Sequence, residues 1–186
     1  MAIVTSFVDI CNRAITFLGS ERITSLDDDT KEGRACKAIH AQTRDNVLRA
    51  HPWNFALKRA ALAATTTAPT WEFATAYNWP ADCLRIVEVD TTEEWVVEGR
   101  QILTDVTGSL NILYIYQVED PNEFDALFIE VYAARIAADI AYEITASVRV
   151  VETATTLYQQ LLRQARNIDA KEAQSEKVND WLESRA

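Results

Sequence analysis

The spacing of apolar positions changes character twice along the chain, and the changes divide it into three parts. Residues 1–52 follow a helical period. Phe7, Ile10, Cys11, Ala14, Ile15 and Leu18 share one face, Ser6 and Asp9 are placed as a capping pair, and Gly19 is a natural stop. This predicts a helix over 5–18. Ala35, Ile39, Thr43 and Val47, with Cys36, Ala38 and Leu48 beside them, predict a second helix over 30–50. Asp29 is expected to cap it with Glu32 as the reciprocal partner, and Pro52 ends it by disfavouring helical geometry at His51.

Residues 53–118 read differently. Trp71–Pro80 is rich in aromatics, and Leu84, Ile86 and Val89 alternate with Arg85, Glu88 and Asp90. Residues 95–98 and 101–104 flank Gly99-Arg100 as a hairpin, and Leu110–Gln117 is dense in β-formers. The expectation is one small antiparallel sheet. The helical period then returns at its strongest over Asp120–Ser147, entered through Asp120-Pro121-Asn122. Phe124, Leu127, Phe128, Val131, Ala134, Ala138 and Ala141 follow one stripe, and Ile129, Tyr132, Ile136, Ile140 and Ile144 cover the neighbouring faces. A helix apolar nearly all round is buried on several sides, so this one is expected to be the central staff of a bundle. Arg135 and Asp139 interrupt the run and can pair across one turn, which argues against a membrane span. An amphipathic helix over 149–169 follows, carrying Val151, Ala154, Tyr158, Leu161, Leu162, Ala165 and Ile168.

The predicted class is therefore mainly α within α+β. Residues 1–52 and 119–170 make an antiparallel helical bundle, 53–118 a β-rich insertion, and 171–186 a charged tail. In that tail Val178, Trp181 and Leu182 form an i, i+3, i+4 triplet, suited to lie in a partner's groove.

Composition narrows the function. The chain has 186 residues, a net charge of −10 and 48% apolar residues, enough for a real core and unsuited to gripping nucleic-acid backbones through a basic patch. Cys11, Cys36 and Cys83 are far apart in sequence and read as free thiols made in a reducing cytoplasm. No basic segment followed by an apolar run opens the chain as a signal peptide would.

Candidate chemistry is sparse. Gly19, Gly33, Gly99 and Gly108 lack the spacing of a nucleotide cradle. Asp27-Asp28-Asp29 has no continuation that would complete a cation loop, and reads as helix-start acids. Glu119, Asp120, Glu123 and Asp125 read the same way at the central helix. Cys36 and His40, one turn apart, are the one pairing that could begin a metal site or a thiolate–imidazole catalyst. Cys11, Cys83 and His51 offer no paired spacing to complete either. No catalytic residue, metal ligand or cofactor is assigned. His51-Pro52-Trp53-Asn54-Phe55 reads as an aromatic pin at a crossover rather than a stacking site.

Several stretches, in order, resemble one family. FVDICNRAITFLGSERITSLDDDTKEG (7–33), TRDNVLRAHPWNFALKRAALA (43–63), YNWPADCLRIVEV (77–89), EWVVEGRQILTD (94–105), LNILYIYQVEDPNEFD (110–125) and LFIEVYAARIAADIAYEITAS (127–147) are similar to phage tail tubular protein A and related head-to-tail connector adaptors of short-tailed phages. The resemblance spans about residues 5–170. It implies a virion structural protein without catalytic residues, made in the host cytoplasm. Such a protein forms a ring, commonly twelve-fold, between the portal protein and the tail nozzle or tube, with DNA passing through the lumen. No sequence-specific nucleic-acid contact and no membrane are expected. The portal-binding candidates are Val178, Trp181 and Leu182. The nozzle-binding candidates are Glu93, Glu94, Thr107 and Ser109, at expected hairpin tips. A head-completion protein of a long-tailed phage is the related alternative, and a small cytoplasmic enzyme the distant one.

Overall fold

The computed structural model describes residues 5–172. These divide into a helical unit (5–47, 53–55 and 119–172) and a β unit (48–52 and 56–118). The described residues are mixed α and β, with four α-helices and two small antiparallel sheets in place of the single sheet expected.

In the helical unit, α1 (Phe7–Leu18) starts with a complete capping box: Ser6 and Asp9 satisfy each other's backbone N–H, and Gly19 closes the helix at φ 69°. α2 (Lys31–Ala50) starts otherwise than expected. Thr30, not Asp29, receives the Gly33 N–H, at 3.0 Å. Glu32 instead accepts from the Ser20 hydroxyl, and Asp29 pairs with Arg34. Asp28 accepts the N–H groups of Thr24 and Ser25, so one aspartate of the triplet shapes a turn while Asp27 pairs with Lys37.

α3 (Ala126–Thr145) also starts later than the periodicity suggested. Asp120 accepts the Asn122 N–H and opens a short 3-10 turn, Pro121–Glu123; Phe124 then returns to extended backbone. Asp125 caps α3 by accepting from Leu127 and Phe128. Two aspartates that each hold the backbone locally split one expected helix start into two. α3 packs on α4 (Val148–Glu172) and α1, and Ala133, Ala134, Ala137 and Ala141 are fully buried in it. Their missing side-chain volume is what lets helices approach this closely. α2 reaches α3 through side chains: the Tyr132 hydroxyl donates to the His40 carbonyl at 2.6 Å, and Thr43 donates to Asp139 at 3.2 Å. Phe55, Phe124, Phe128, Tyr132 and the buried Trp53 form one cluster of edge-on and tilted rings. No helix among the described residues is long and apolar enough to cross a membrane.

The β unit holds β1 (Leu57–Ala63), β2 (Thr75–Asn78), β3 (Cys83–Val89), β4 (Trp95–Glu98), β5 (Gln101–Thr104) and β6 (Ser109–Tyr116). The strand orders are β1-β6-β3 and β2-β5-β4, all neighbours antiparallel. An isolated bridge, Ala64 with Tyr77, links the end of β1 to β2. Leu62, Tyr77, Cys83, Val89, Ile102, Leu110, Ile112 and Tyr114 make the core between the sheets. Two irregularities in the β3–β6 register let Cys83, Ile86 and Val89 all turn inward, although a spacing of three would alternate faces in a regular strand.

Candidate functional site

Antiparallel pairing decides which loops of the β unit meet. β1 ends opposite the start of β6, and β3 ends there too, with the Asp90 N–H donating to the Asn111 carbonyl at 2.9 Å. β2 and β4 begin opposite the end of β5. The connections 64–74, 90–94 and 105–108 therefore all leave the same end of the unit. Hydrogen bonds tie them together. The Ala74 N–H donates to the Asp105 carboxylate at 2.9 Å, and the Thr104 hydroxyl donates to the Glu94 carbonyl at 2.8 Å. Buried Tyr77 directs its hydroxyl to the Val106 and Gly108 carbonyls, at 2.9 and 3.1 Å.

This loop end is acidic and aromatic. Glu72, Asp90, Glu93, Glu94 and Asp105 lie in the connections, which contain no lysine or arginine. Trp71 is 75% exposed and Trp95 41% exposed. Trp71 precedes Glu72, a non-glycine residue held at φ 70°, and its carbonyl accepts the Phe73 N–H. Left-handed backbone at a residue with a side chain is unfavourable, and such strain gathers at working surfaces. The 64–74 connection arches back over the outer face of the β2-β5-β4 sheet and leaves a cavity of about 460 Å³, lined by Thr66, Pro69, Trp71, Asn78 and Gln101 among others. An exposed tryptophan beside carboxylates that form no ion pair among the described residues suits contact with cationic protein groups, which gain both from charge and from the indole face.

The opposite end of the β unit is built to hold still. Lys58 Nζ donates to Asp82 at 2.8 Å, and the Tyr114 hydroxyl donates to the other carboxylate oxygen at 3.2 Å. Burial resists ionisation of Asp82, but the Lys58 hydrogen bond and charge outweigh it and keep the carboxyl below its usual range. Burial and the Asp82 charge push the Tyr114 phenol up, so it stays a donor. The Arg100 guanidinium donates to the carbonyls of Pro80, Ala81 and Cys83 and lies over the Trp79 ring. Burial pushes the Cys83 thiol up to about 11, which leaves it a poor nucleophile at neutral pH.

Cys36 and His40 do not combine as a sequence spacing could suggest. Cys36 shares a hydrogen bond with Cys11, and both thiols are fully buried. That bond, with burial, pushes the Cys11 thiol far up. The His40 ring lies tilted against Phe7, centroids 5.2 Å apart, and burial, helped by the Arg44 charge, holds its imidazole below its usual range. Among the described residues no group of three or more His, Cys, Asp and Glu side chains is placed to hold a metal ion.

Glu93, Glu94 and Thr107 all fall at the acidic loop end and are exposed. Ser109 is the first residue of β6, paired with Ala63, so it borders the loop rather than forming its tip. Val178, Trp181 and Leu182 lie outside the described residues. The sequence reading missed Trp71, Asp90 and Asp105 as members of this surface. The Asp–Trp–Glu richness of 71–105 was visible, but only strand pairing shows that these residues share one end. No protein-family model matches the chain, and no curated protein matches it significantly.

Proposed function

We propose that this protein is a subunit of a head-to-tail connector adaptor of a short-tailed phage, a virion component that forms a ring between portal and tail nozzle with DNA passing through its lumen. The observation that carries the reading is the order of the resembling stretches. They coincide in turn with α1, the end of α2 with β1, β2 with β3, the β4–β5 hairpin, β6 with the turn after it, and α3. On this reading the helices belong to one antiparallel bundle built around α3. The acidic loop end, with Trp71 and Trp95, docks on the nozzle, and the tail beyond 170 docks on the portal. A subunit charge of −10, repeated around a ring, favours sliding of a polyanion over adhesion to it.

Light scattering and electron microscopy on the purified protein, alone and mixed with a portal ring, test the reading. A monomer that becomes an annulus on the portal is the expected outcome. A protein indifferent to every portal and nozzle offered would overturn it.

A further inference from the structure

The strand orders β1-β6-β3 and β2-β5-β4 leave β4 as an end strand, hydrogen-bonded on one side only. Glu98 and Gln101 are partners across the two-residue turn Gly99-Arg100, whose first residue has φ 59°. In such a hairpin that closing pair exchanges backbone hydrogen bonds, and pairing then alternates along the strands. Val96 therefore points its N–H and carbonyl at Leu103. Trp95 and Val97 point theirs away from the sheet. The Glu94 carbonyl obeys the same parity, since it faces β5 and accepts from Thr104.

The side chains of Trp95 and Val97 also share a face. It is the face of their partners Thr104 and Ile102, both fully buried, and of Tyr77 beyond. Thus the inner face of this sheet continues past the core onto β4, where Trp95 is 41% and Val97 39% exposed. A free backbone edge and an uncovered apolar face occur on the same two residues. Edge strands are commonly guarded by shortness, charge, proline or a bulge. Glu93-Glu94-Trp95-Val96-Val97-Glu98 has no proline or bulge, and its carboxylates, which repel acidic strands, leave the edge selective for a basic one.

We infer that the β4 edge accepts an added strand from another protein, an extended segment bearing lysine or arginine with apolar residues at alternate positions. Backbone hydrogen bonds to Trp95 and Val97 supply register, and the apolar side chains cover the indole and valine. Glu93, Glu94 and Glu98 meet the basic side chains and oppose a second copy of a chain carrying −10. The inference deepens the proposed function by naming how the partner binds, and rests on that reading only for which protein the natural partner is.

The test uses the full chain and a short synthetic peptide alternating lysine and valine. Controls are the same peptide with alternate backbone amides methylated and a glutamate–valine counterpart. Titration followed by amide NMR should show salt-sensitive binding of the lysine peptide alone, with the amides of Trp95 and Val97 shifted most. Val97→Pro removes an outward N–H and spares the ladder to β5, so it should retain the fold and weaken binding at least about tenfold. If Val97→Pro does not fold, the Glu93→Lys, Glu94→Lys double variant should weaken binding similarly. Equal binding of the methylated or glutamate peptide, undiminished binding by the variants, or self-association through β4 in place of peptide binding would each overturn the inference. Ring formation on a portal is read separately. Val97→Pro should still join such a ring, so a failed peptide experiment and a failed connector reading are told apart.

Discussion

Trp53 in the helical unit and Trp71 and Trp95 in the β unit are placed in opposite ways. In the helical unit Trp53 is buried, donates its indole N–H to the Val47 carbonyl at 3.0 Å, and meets Phe128 edge-on at 5.3 Å. In the β unit Trp71 and Trp95 stand in solvent beside carboxylates. A ring enclosed by other rings contributes to folding. One left in water contributes almost nothing to it and becomes available to a partner.

That contrast sets an order of expected effects. Phe128→Ala removes the ring that Trp53, Phe55, Phe124 and Tyr132 all pack on, and should cost about 3–5 kcal/mol in urea unfolding followed by circular dichroism. A loss no larger than that of a surface substitution would break the comparison from the helical side. Tyr77→Phe sharpens it from within the β unit. The ring stays in the core while the 105–108 connection loses its hydroxyl anchor, a cost of about 1 kcal/mol, with faster amide exchange confined to that connection. Trp71→Ala is the smallest in stability, within about 0.5 kcal/mol of the parent, yet on the proposed connector reading it should abolish capture of a tail nozzle protein in a pull-down. Unfolding by Trp71→Ala would show that the indole serves the fold after all.

Local signals that satisfy the backbone within a few residues were legible directly. The Ser6–Asp9 box, the stop at Gly19, the Gly99-Arg100 hairpin and the helix over 126–145 with its buried middle follow from spacing alone, although Tyr142 and Glu143 near its end are exposed. Where two residues competed for one local role, spacing misled. Thr30 displaced Asp29 as the cap of α2, and α3 begins after Asp125 rather than at Asp120-Pro121-Asn122, because Thr30 and Asp125 each stand immediately before the turn that tertiary packing selects.

The candidate surface was legible only in pieces. Glu93 and Glu94 were evident as an exposed acidic turn, whereas Trp71, Asp90 and Asp105 are scattered over a stretch with no common period. The register of β1 and β3 on β6, and of β2 and β4 on β5, is what brings their connections to one end. Strand order likewise leaves β4 at a sheet edge and uncovers Trp95 and Val97. The sequence by itself determined the elements, the charge and the free thiols, since these depend on short-range spacing and composition. Which loops meet and which strand ends a sheet was decided only by the tertiary structure, because those relations join residues far apart in the chain through backbone hydrogen bonds that nearly any residue can make.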